Sequence, residues 1–141
     1  MSGSNRPLKV FLCYAHSDKE LVHKLYNRVT KKAEIEAWLD VEKLQPGQNW
    51  EYEIRKAILK SDVVIVCLSR AFNKHHGYRH EELKIALEKS RILSNDIFII
   101  PVRLEECDMP ESLHHLHQVD LFKTGGYGRL LRALQGQVKS K

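Results

Sequence analysis

Glu82 and Tyr78 are the residues whose types and spacing first suggest chemistry. They stand one helical turn apart in Tyr78-Arg79-His80-Glu81-Glu82-Leu83, heading an amphipathic stretch that predicts a helix from Tyr78 to about Arg91. At about 100° per residue, Leu83, Ile85, Ala86 and Leu87 define its apolar face, and Glu82 falls within that arc. Glu81 and Glu88 point away to solvent. Glu82 therefore reads as a partly buried carboxylate with an aromatic neighbour. An acid in the first turn of a helix also complements the helix dipole, and the periodicity accommodates both accounts.

The histidines raise the question of metal chemistry. His76 and His80 are four apart, a spacing that zinc ligands use on a helix. His80-Glu81-Glu82-Leu83-Lys84 nearly spells the metalloprotease motif, but Lys84 stands where the second His belongs. His114, His115 and His117 sit in a predicted surface helix. Both clusters read as solvated histidines, and no metal is expected. Three familiar α/β chemistries also fail. The first predicted strand is followed by Ala15-His16-Ser17 rather than a glycine-rich dinucleotide loop, no phosphate-binding P-loop is present, and Leu68-Ser69 replaces the aspartate of a phospho-receiver.

The elements that must position these residues alternate in type. Leu8 to Tyr14 is a short apolar strand, and Ser17 with Glu20 fits a capping box ahead of a helix striped by Leu21, Leu25 and Val29, with Val22 beside them. Ile35 to Leu39 is a second strand. Trp50, Ile54, Ala57 and Ile58 mark a second helix. Val63 to Leu68 is apolar throughout, as a central strand covered on both faces should be. Ser69 to Gly77 is a polar connection with a short helical piece near Ala71 and Phe72. Ile97 to Val102 gives a fourth strand, Val119 to Leu121 a weak fifth, and Gly128 to Leu134 a last helix. The alternation predicts a flavodoxin-like α/β fold, an open parallel five-stranded sheet with helices on both faces. Ligands of such sheets bind at the carboxyl ends of the strands, here Tyr14–Asp18, Asp40–Trp50, Ser69–Tyr78 and Val102–Pro110.

Bulk properties narrow the field further. A chain of 141 residues, 43% apolar and 29% charged, is an ordinary single domain able to bury its own core. Residues 8–135 are its expected extent, with 1–7 a disordered leader and 136–141 a polar tail or truncated linker. No apolar run approaches a membrane span, and no signal-peptide core is present, so a cytoplasmic location is expected. The net charge of +5 is mild and spread along the chain; nucleic-acid and membrane partners are not expected. Cys13, Cys67 and Cys107 read as reduced thiols.

Two loops then carry a family resemblance. Trp38-Leu39-Asp40-Val41-Glu42-Lys43-Leu44-Gln45-Pro46-Gly47 joins the second strand to the second helix, with Pro46-Gly47 as a tight turn. Together with Val10-Phe11-Leu12-Cys13-Tyr14-Ala15-His16-Ser17-Asp18, it resembles the Toll/interleukin-1 receptor (TIR) domain family over residues 8 to 135. Tyr78-Arg79-His80-Glu81-Glu82-Leu83 resembles the helix start that bears the catalytic Glu in the NAD-cleaving branch. The resemblance implies hydrolysis of the nicotinamide–ribose bond by Glu82, giving ADP-ribose or a cyclic isomer in immune or antiphage signalling. It also implies substrate contacts from Tyr78, Tyr14, Ala15, His16, Asp40, Leu44 and Trp50, with NAD as substrate and no cofactor. Homotypic TIR assembly would run through Asp40, Val41, Glu42, Lys43, Leu44, Gln45, Pro46 and Gly47. The competing implication is a non-enzymatic adaptor that recruits other TIR domains through that loop.

Overall fold

Two strands without polar alternation dictate the architecture. Leu8–Cys13 (β1) and Val63–Leu68 (β3) pair in parallel, with Val10 opposite Val63 and Cys13 opposite Val66. Every residue of β3 is buried, and in β1 only Lys9 is exposed. A pair of this kind needs cover on both faces. Ile35–Leu39 (β2) adds outside β1, Ile99–Arg103 (β4) outside β3, and Val119–Asp120 (β5) beyond β4. The result is a parallel five-stranded sheet in the order β2-β1-β3-β4-β5. This computed structural model describes residues 7–31, 34–39, 46–74, 83–89 and 98–140.

The cover comes from Lys19–Thr30 (α1), Trp50–Lys60 (α2), Arg70–Lys74 (α3), a helix over residues 83–89 (α4) and Gly126–Ser140 (α5). Strand side chains alternate between the two faces. Leu8, Val10, Leu12 and Ile65 meet Val22, Leu25 and Val29 of α1 and Leu130 and Leu134 of α5. Phe11, Val64, Val66 and Leu68 meet Ile54 and Ile58 of α2, Phe72 of α3, and Leu83 and Ala86 of α4. This is the three-layer flavodoxin-like fold that the alternation predicted. No helix among the described residues is long and apolar enough to cross a membrane.

Several expectations need correction. The capping box at Ser17 and Glu20 does not form: a 3-10 turn over His16–Asp18 precedes α1, and the N-cap residue is Asp18. Leu21 is half-exposed rather than part of the stripe, because the buried face runs through Val22, Leu25 and Val29. His114, His115 and His117 follow a 3-10 turn at Glu111–Leu113 instead of riding a helix, although all three are exposed. The last helix also outruns its predicted span, reaching Ser140 through the stretch read as a tail.

That helix begins where a side chain has no room. A Cβ on Gly126 would overlap the Asp120 carbonyl, so the turn from β5 into α5 closes only on glycine. The same corner holds an ion pair. Arg103 Nε and Nη2 reach Asp120 Oδ1 and Oδ2 at 2.6 and 2.8 Å, and Arg103 Nη1 donates to the Cys107 carbonyl at 2.8 Å. Bidentate geometry of this kind is among the stronger charge pairings. It ties the two-residue β5 to the sheet.

The guanidinium bond, with help from Lys123, holds the Asp120 carboxyl below its ordinary pKa of 3.8. A depressed carboxylate contributes stability that is fully present above that ordinary value and is lost as pH falls through the folded one. We predict that Asp120→Asn lowers stability near neutral pH by about 1–2 kcal/mol. Thermal melts should show the gap to wild type narrowing as the pH drops below the ordinary carboxylate range. A gap unchanged by acid would remove Asp120 from the account.

Candidate active site

Strand order places the crevice. The chain leaves β1 toward the α1 layer and leaves β3 toward the α3 layer, so the two loops part at the carboxyl ends of the central strands. Open α/β sheets bind ligands at such a switch point. One bond spans the fork. The Ser69 hydroxyl, buried at the end of β3, donates to Asp18 Oδ2 and accepts from the Phe72 amide at 3.0 Å. Ser69 thus caps α3 while holding the first loop, whose Asp18 amide donates to the Ala15 carbonyl at 2.9 Å. Beneath them lies Cys67, fully buried, its thiol pushed strongly upward in pKa by burial and then by Asp18. A thiol so placed stays protonated and is no nucleophile.

The far side of the fork is fastened to the loop after β4. The Arg70 amide donates to Glu105 Oε2 at 2.9 Å, and Asn73 Nδ2 to the Asp108 carbonyl at 2.8 Å. The short helix α3 is therefore held at both ends of its first turn.

Of the residues expected to bind substrate, Tyr14 and Ala15 are each 2% exposed and pack in the core at the end of β1. Their reach into the crevice is confined to the backbone. His16 is exposed, at the start of the 3-10 turn. Trp50 is the first residue of α2, whose N-cap Asn49 accepts from the Tyr52 amide at 3.1 Å. Pro46 and Gly47 are exposed, and Gly47 has a φ of +90°, a conformation that favours glycine. Asp40, Val41, Glu42, Lys43, Leu44, Gln45, Tyr78 and Glu82 lie outside the described residues, as do His76 and His80.

The helix directly after Glu82 has the orientation that the apolar arc predicted. In α4, Leu83 and Ala86 are buried, Ile85 and Leu87 half-buried, and Lys84 and Glu88 exposed. Lys89, at the end of its described span, closes over the end of α2. The ammonium donates to the carbonyls of Leu59, Ser61 (2.8 Å) and Ile58 (3.5 Å), and sits 4.7 Å from the centre of the Phe98 ring. A cation at a helix C-terminus satisfies orphan carbonyls and opposes the dipole.

Sequence reading missed the Ser69–Asp18 bond, the Arg103–Asp120 pair and the Lys89 cap, because each joins residues far apart in the chain. Only Ser69 offered a local signal, as a hydroxyl residue directly before a short helix. We predict that Ser69→Ala and Asp18→Ala each cost about 1–2 kcal/mol in denaturant unfolding. The double variant should fall short of their sum by roughly 0.5 kcal/mol or more; strictly additive losses would mean that the bond carries no coupling energy.

Comparison with known proteins agrees with this geometry. Among solved structures, the chain is similar to the TIR domain of the Toll-related receptor TRR-2 from Hydra magnipapillata. That likeness has a TM-score of 0.74 and 25% identity, and covers 89% of this chain and 97% of that one. It shares its fold with the TIR domains of the Roq1 resistosome, at a TM-score of 0.60 and 21% identity over 94% and 82% of the two chains. It also shares it with a Clostridium botulinum CMP N-glycosidase, BcmB, at a TM-score of 0.58 and 20% identity over 88% and 97%. An uncharacterised protein of Sinorhizobium fredii is 31% identical over 104 residues, which are 72% of this chain and only 16% of that protein's length. The family profile described as "TIR domain" matches residues 10–134, and the chain belongs to that family.

Proposed function

We propose that this TIR domain hydrolyses NAD at the bond between nicotinamide and ribose, with Glu82 as its catalytic carboxylate. The observation that carries this reading is the Tyr78–Glu82 pair immediately ahead of α4 in sequence, a helix whose apolar face turns inward at Leu83 and Ala86. Breaking the C1′–N bond releases neutral nicotinamide and leaves positive charge on the ribose, as in glycoside cleavage. A carboxylate beside that ribose stabilises the developing cation, and more strongly where water is excluded. Water then adds at C1′ and gives up a proton to form ADP-ribose, or a nucleophilic atom of the remaining ADP-ribosyl portion adds at C1′ in place of water to give a cyclic isomer. Tyr78 supplies a ring for a base to stack on. Because nicotinamide leaves without a proton, the reaction calls for no metal and no general acid.

The scaffold is compatible with such chemistry, since the same fold serves a CMP N-glycosidase. Assembly with other TIR domains through Asp40–Gly47 would bring a neighbour's loop to the site, and a cytoplasmic immune signalling role accords with that picture. A second reading rests on the likeness to the Toll-related receptor domain: an interaction module that recruits TIR domains and cleaves nothing.

The deciding assay is nicotinamide release from NAD by the concentrated domain. Wild type should release it, and Glu82→Ala of unchanged fold should lose at least roughly 100-fold. Release by neither protein, even when artificially clustered, would favour the interaction module. Equal release by both would return Glu82 to the role of a helix-start acid. We further predict that the rate per molecule climbs with protein concentration; a flat, full rate across a wide range would exclude activation by assembly.

A further inference from the structure

Large apolar side chains open to water are sparse on this domain, and two of them border one groove. Among the described residues they are Leu21 (50%), Tyr52, Leu59 and Phe122 (40%). Leu21 and Phe122 both line a groove of about 240 Å³ between α1 and the turn from β5 into α5. Leu25, Leu104 and Leu121 give it an apolar floor and pack on the core beneath. Its volume is that of about eight waters, which suits a small ring system. Leu104 directly follows β4 and Leu121 directly follows β5, so the groove opens at the carboxyl ends of the strands, where sheets of this class take ligands. The Leu104 amide donates to the Leu68 carbonyl at 2.9 Å. The groove therefore adjoins the Ser69–Asp18 fork, on the α1 side of the sheet.

The polar part of the groove is cationic. Lys24 and Arg28, one turn apart on α1, are its charged lining residues. The Arg28 guanidinium stacks on Tyr127, 3.4 Å from the centre of the ring. Burial pushes the Tyr127 phenol upward in pKa, so the ring is neutral near neutral pH and leaves the guanidinium charge uncancelled. A planar fork held by its face against an aromatic ring keeps its N–H edge for an anion. Arg103 and Lys123 add positive charge beside Phe122, at 5.5 and 5.8 Å from the centre of its ring. Among the described residues, no carboxylate lines the groove. Asp120, next to Leu121, is already held by Arg103 and by Lys123 at 3.3 Å.

We propose that this groove is a binding site for a small planar organic anion, an aromatic carboxylate, separate from the crevice assigned to NAD. The ring rests on Leu25, Leu104 and Leu121 between Leu21 and Phe122. The carboxylate takes paired N–H groups of Arg28, with Lys24 as the second cation. A fork preset by its stack loses less freedom on binding, and bidentate pairing with a carboxylate is among the stronger charge-assisted contacts. The site goes beyond the catalytic reading and stands whether or not Glu82 acts on NAD.

Amide NMR of the whole labelled chain during titration with 2-naphthoate tests it. Saturable shifts should appear at Leu21, Lys24, Arg28, Leu104 and Leu121, with a Kd on the order of 1 mM or tighter. 2-Naphthamide keeps the rings without the charge and should bind at least roughly tenfold more weakly. Acetate keeps the charge without the rings and should also be at least roughly tenfold weaker. Arg28→Lys preserves the charge but not the fork and should cost roughly tenfold in naphthoate affinity; Phe122→Ala should weaken it in the same direction. Both side chains are exposed, and unchanged spectra elsewhere would show that the fold survives. A second copy of the chain is the competing occupant: it would move the same amides on dilution of the protein alone, with naphthoate then adding no saturable shift. That result overturns the proposal, as do shifts that never saturate, equal affinity for naphthoate and its amide, or folded variants that bind as wild type does.

Discussion

Everything in this domain depends on the parallel pairing of β1 with β3. Both strands are buried on both sides, so neither is stable until two layers of helix are in place. That requirement sends the chain to opposite faces after each strand, and the fork between the departing loops is the crevice. The pair that provides the apolar core thereby creates the polar site. Ser69 and Asp18 span the fork at its base, where two backbones diverge and a gap would otherwise open.

Much of this was legible in the sequence because it is local. The run Val63–Leu68 has no polar residue to turn outward, so its central place was evident from composition alone. Leu83, Ala86 and Glu88 fell on the expected sides of α4 because helical periodicity is a property of neighbours. Leu21 misled for the same reason: it fits a four-residue spacing, but Val22 competes for the same face and wins through its contacts with the core of β1 and α5. The capping box failed because a 3-10 turn over His16–Asp18 moves the N-cap on to Asp18, whose carboxylate is engaged by Ser69 fifty-one residues away, and no window of local pattern reaches that far.

The candidate site divides in the same way. Tyr78 and Glu82 were found through their spacing and their resemblance to a family, and their placement lies outside the described residues. The long-range contacts that fasten the described part of the sheet were not legible at all. Gly126 looks like any turn glycine until the Asp120 carbonyl is seen against it. Arg103 looks like a polar end to a strand until its guanidinium is seen to hold β5 and the loop carbonyl together.

Lys89 gives these separate pieces a shared fate. Its ammonium is the common partner of the last carbonyls of α2, and it closes the described helical span 83–89. Fraying of α4 would leave the end of α2 without that partner, and fraying of α2 would leave a cation without its carbonyls. The helix Trp50–Lys60 and the helical residues 83–89 are thereby coupled through one side chain, as neighbours within a single cooperative unit are. The two segments singled out by sequence, one for assembly and one for chemistry, lead into the same block of structure.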